Sequence, residues 1–130
     1  MSTVVEHEIL FIDAQISQVA FDMAVRLAVE TPGRVDTLVA YAPLVLTPGT
    51  GAERTLQPRA LRADDLAAIH ALLWSPVTRA AFFADGSALV ESDAWRLRAE
   101  SSGEFDAWSY EGHDGLIIHS SAGELSYNRA

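Results

Sequence analysis

The sequence predicts an α+β domain: an antiparallel β-meander of about eight strands, curved or barrel-like, with one helix over residues 60–73 packed on it. Three observations carry this prediction. The hydrophobic period is two residues early in the chain, changes to 3.6 over one stretch, and returns to two. The final stretch, residues 77–127, is punctuated by Asp85-Gly86, Ser102-Gly103, Asp114-Gly115 and Ala122-Gly123. Gly and Asp tolerate the positive φ that tight hairpin turns require. At 130 residues, with 49% hydrophobic and 21% charged, the chain has the length and composition of a single globular domain, residues 1–130.

In residues 16–30, Val19, Phe21, Met23, Val25, Leu27 and Val29 share one parity, and Asp22, Arg26 and Glu30 share the other with three alanines. This period of two means strand, and Asp22 marks a tight reversal between strands at residues 16–20 and 23–30. Thr31-Pro32-Gly33-Arg34 is a turn, because Pro presets φ and Gly supplies the left-handed position. Residues 35–47 form a third extended segment, in which Pro43 demands an edge position or a bulge. Residues 47–58 read as a loop with a short strand near 53–56.

The helix is marked by Leu66, Ile69 and Leu73 at i, i+3 and i+7. Asp64 and Asp65 sit in its early turns, where carboxylates complement the macrodipole, and Pro76 prevents continuation. A hairpin follows, with strands at residues 77–84 and 87–91 around Asp85-Gly86. A two-residue loop there sets Phe82 opposite Leu89, and a three-residue loop with a bulge shifts that pairing by one. Strands at residues 94–99, 105–110, 116–120 and 124–127 complete the meander.

The net charge of −9 repels nucleic-acid phosphates and favours solubility or a protein partner with a basic surface. The absence of cysteine excludes disulfides, thiolate metal sites and cysteine nucleophiles. The first residues lack the basic and long apolar regions of a secretory signal, and no apolar run approaches the roughly 20 residues of a membrane span. A cytoplasmic protein with no membrane and no nucleic-acid partner is the expectation.

Candidate chemistry is sparse. His7, His70, His113 and His119 form no spacing that places two ligands on one helix face, so no metal site and no cofactor is expected. His70 reads as a packed side chain beside the helical stripe, and His113 as a solvated turn residue. His119 alternates with Ile118 and is the candidate functional histidine. Asp64 and Asp65 point about 100° apart on a helix, so capping rather than a shared proton or ion explains them. Neither the glycines around Pro48 nor Ser120-Ser121 make a phosphate cradle or a nucleophile elbow.

Glu104, Asp106, Trp108 and Tyr110 share one strand face. An acidic and aromatic stripe of this kind is a candidate interaction surface, since aromatics are enriched at interface centres. The competing reading places Trp108 in the core with the Tyr110 hydroxyl wet at the rim. Trp95 and Leu97 read as core by the same alternation, and Trp74 as a seal on the helix end.

In the order and spacing of these motifs, the whole chain resembles a family of small bacterial proteins known only as a domain of unknown function. The features are the valine-centred hairpin from Val19 to Leu27, Pro58 before a leucine-rich helix, Phe82-Phe83-Ala84-Asp85-Gly86-Ser87-Ala88-Leu89, Asp106-Ala107-Trp108 and Ala122-Gly123-Glu124-Leu125. The chain departs from similar proteins at Asp13-Ala14, where a glycine is usual, at Ala122-Gly123 in place of a double glycine, and at Tyr127 in place of a closing tryptophan. The resemblance supports the architecture and implies no enzymatic activity, cofactor or catalytic residues.

The expected function is therefore that of a non-enzymatic protein-interaction module. One specific form is an immunity- or antitoxin-type inhibitor of a basic nuclease, suggested by charge and size. The remaining alternatives are a small-ligand-binding barrel, or a small hydrolase using His119 with Asp106 or Glu124 from adjacent strands.

Overall fold

A computed structural model describes residues 4–49, 52–102, 106–112 and 114–129. The strands among these residues are β1 (Val5–Phe21), β2 (Val25–Thr31), β3 (Arg34–Ala40), β4 (Leu44–Pro48), β5 (Arg54–Leu56), β6 (Pro76–Phe83), β7 (Ala88–Glu91), β8 (Trp95–Ala99), β9 (Asp106–Glu111), β10 (Leu116–Ser121) and β11 (Glu124–Arg129). The helix α1 (Ala63–His70) lies between β5 and β6. All pairings are antiparallel, and the strands form one sheet in the order β11-β10-β9-β3-β2-β1-β6-β7-β8-β4-β5.

The sheet is therefore antiparallel with a little helix, as expected, but it has more than eight strands and does not close into a barrel. It is also not one meander. Three local meanders, β1–β3, β6–β8 and β9–β11, are joined by the long-range pairings β1·β6 and β3·β9, and β4·β8 attaches the β4–β5 pair. Those pairings link segments far apart in the chain, which local turn signals do not specify.

The sheet folds over on itself. Phe82 on β6 packs its ring 5.5 Å from that of Trp108 and 5.0 Å from that of Tyr110, both on β9, although three strands separate β6 from β9 in the sheet. Between the two facing halves lies the core, including Ile16, Leu27, Leu38, Leu44, Leu56, Ile69, Leu97 and Ile118. Trp95 and Leu97 are buried, as their alternation predicts.

β1 makes this folding possible. Its first half pairs with β6 and its second half with β2, with a bulge between Leu10 and Ala14 where Asp13 adopts φ 56°. The sequence reading began this strand at residue 16 and missed its first half. The run Ile9-Leu10-Phe11-Ile12 is apolar on both parities and so hides the alternation. The reversal at Asp22 is present, with Met23 at φ 71° and the Asp22 amide donating to the Ala24 carbonyl at 3.1 Å. The third segment instead splits at Tyr41-Ala42-Pro43. There the Tyr41 and Ala42 amides both donate to the Ala107 carbonyl, and the chain crosses to pair β4 with β8.

The Asp85-Gly86 hairpin takes the three-residue form. The Phe83 amide donates to the Ser87 carbonyl, and Phe82 stands opposite Ala88 rather than Leu89. Asp85 selects this form, because its Oδ1 accepts from the Ser87 amide at 3.0 Å while its Oδ2 accepts from Arg98 at 3.1 Å.

The helix is shorter than residues 60–73, and its stripe is rotated. Ile69 and Leu72 are buried, while Leu66 is exposed. Asp65 supplies the reason: its Oδ2 accepts from the Arg62 amide at 3.0 Å and its Oδ1 from Arg54 at 2.9 Å. Arg54 also reaches Asp64 at 3.2 Å, so the two adjacent carboxylates do share one cation, contrary to the angular argument. In the first helical turn both side chains can lean towards a group beyond the helix end. Arg54 thereby holds the Asp64 carboxyl below its ordinary pKa. Trp74 does not seal the helix; it is exposed at φ 69°, and its amide donates to the Ile16 carbonyl at 2.7 Å. His70 is exposed rather than packed.

Candidate functional site

The predicted stripe on β9 is not a surface in this chain. Trp108 and Tyr110 are each 1% exposed, and both face the interior. The Trp108 indole N–H donates to the Gly86 carbonyl at 2.9 Å, and the Tyr110 hydroxyl donates to Asp36 Oδ2 at 2.6 Å. Folding of the sheet converts an alternation that leaves both faces open into one buried and one outer face. Asp106 is exposed, while Glu104 and His113 lie outside the described residues.

His119 is half-buried on β10, in register with Ser109 and Ser126. Asp106 and Glu124 both stand opposite Ser121, further along the strand. Among the described residues, no side-chain hydrogen bond or ion pair joins His119 to either carboxylate. The concave arrangement that the hydrolase alternative requires is not assembled there.

A different feature emerges along β1. β6 pairs with β1 from Val5 to Gln15, whereas β2 pairs with it only from Gln15 to Phe21. Over residues 5–10, β1 therefore has a strand neighbour on the β6 side only, and Phe11, Ile12 and Asp13 in the bulge have no strand partner on either side, among the described residues. A sheet edge of this kind presents backbone groups to an added strand. Leu10 and Ile12 stand out from the same stretch, 72% and 82% exposed.

Two hollows border this edge. One, of about 360 Å³, is lined by His7, Glu8, Ile9, Leu10, Asp36, Tyr110, Gly112, Asp114 and Leu116. The other, of about 550 Å³, lies between Asp13 and Gln15 of β1 and the β2–β3 turn from Glu30 to Val35. Glu8, Asp36 and Asp114 line the first hollow, and Asp13, Glu30 and Arg34 line the second. Glu8 is also held across the strands by Arg79, which in turn bonds Glu91 at 3.1 Å.

The deepest polar pair in the groove is Tyr110 with Asp36, which is 2% exposed. Burial first, and then the Asp36 carboxylate beside it, raise the Tyr110 pKa well above its ordinary value. A folded-state pKa above the unfolded value stabilises the fold fully below the unfolded pKa, near 10. Stability is then lost as pH rises above about 10, because the unfolded chain ionises first. Denaturant midpoints should fall between about pH 9.5 and 11, and Tyr110→Phe should flatten that fall, leaving a smaller contribution from Tyr127, whose pKa is also raised by burial. An unchanged slope in Tyr110→Phe would show that this hydroxyl is not the titrating group.

Sequence reasoning missed Asp36 and the β1 edge. Asp36 carried one usable signal, a carboxylate inside a strand otherwise rich in Val, Leu and Ala. The edge carried none, since it depends on which strands pair. Among the described residues, no group of three or more His, Asp or Glu side chains is arranged to hold a metal ion. Among the described residues, no helix is long and apolar enough to cross a membrane.

Residues 7–127 match the model of a family of unknown function, DUF6188, and the chain belongs to that family. Neither the curated proteins nor the solved structures compared with the chain contain a match.

Proposed function

We propose that this DUF6188-family chain is a non-enzymatic interaction module, and that it binds an extended segment of a partner protein along the unpaired edge of β1. The observation that carries this reading is the stretch of β1 over residues 5–10 with one strand neighbour instead of two, bearing exposed Leu10 and followed by the bulge that bears exposed Ile12. Strand addition satisfies the edge backbone groups, and alternate side chains on the guest strand supply specificity. The carboxylates around the groove and the net charge of −9 select a segment with a basic surface, through steering and complementarity. An inhibitor of a basic nuclease is one form such a partnership takes.

The test is capture of a partner from the native host by immobilised full-length protein. A basic protein should be retained at low salt and released near ~0.5 M salt, where the Debye length has shrunk several-fold. The double variant Leu10→Lys with Ile12→Lys should abolish capture while leaving the melting temperature within about 2 °C, because both side chains are solvent-exposed. Capture that survives both the salt and the double variant would place the contact elsewhere on the molecule.

A further inference from the structure

We draw no further inference here: the strongest candidate, the hollow of about 450 Å³ beside the β7–β8 turn lined by Thr47, Thr78, Ser92 and Trp95, carries nothing, because the Trp95 indole N–H, the buried donor without a partner among its described lining residues, is closed off from solvent on the core side of β8, and nothing in the structure shows what would fill the hollow.

Discussion

Replacing Trp108 with alanine should lower stability by about 3–5 kcal/mol, the usual cost of truncating a fully buried large aromatic. For a domain of 130 residues this is a fall in melting temperature on the order of 10–20 °C, read by thermal denaturation with circular dichroism. Three contributions add: lost burial of a side chain 1% exposed, lost ring packing on Phe82, and a Gly86 carbonyl left without its indole donor. Trp74→Ala is the matched control. That indole is 60% exposed, so its loss should move the melting temperature by only a degree or two. The same comparison decides between the two readings of Trp108 in the sequence. If Trp108→Ala melts like the unaltered protein and loses partner binding, the residue is an interface anchor after all.

Gly86→Ala should cost about 2–4 kcal/mol, much more than Gly33→Ala at about 1–2 kcal/mol, although both glycines have φ near 80°. The left-handed backbone penalises a Cβ similarly at each. Only at Gly86 does that Cβ also meet backbone, 2.8 Å from the Gly123 carbonyl oxygen, whereas nothing stands within 4 Å of it at Gly33. The excess measures how tightly the β6–β7 turn is pressed on the β10–β11 turn. That contact, with the Trp108 bond to the Gly86 carbonyl, joins the two halves of the folded sheet. Equal melting temperatures for the two variants would mean that the turns do not bear on each other.

These residues also mark where sequence reasoning reaches. The reversal at Asp22, the Pro32-Gly33 turn, the short β5 and the strands after Gly86 were legible because each depends on φ preferences and alternation within a few residues. The Phe82 register was legible only as one of two options. The choice depended on Asp85 bonding both Ser87 next to it and Arg98 on another strand. The candidate surface at Trp108 and Tyr110 failed for a similar reason. Alternation shows that two residues share a face, but not whether that face meets water or another part of the sheet. Leu66 and Trp74 misled in the opposite direction, since apolar character alone did not place them inside.

What the amino-acid sequence determined by itself was the kind of object: an antiparallel sheet with a little helix, highly acidic, without cysteine, and with its tight turns placed by Gly, Asp and Pro. These are local or additive properties, and a local code suffices to state them. The tertiary structure alone decided that β1 changes partners at Gln15, that β3 meets β9, and that the sheet folds over without closing. Each of those depends on pairings between distant segments, whose cost in chain entropy is recovered only when the whole core assembles. The groove beside β1 is a by-product of the same event, because an edge is unpaired only relative to every other pairing in the sheet.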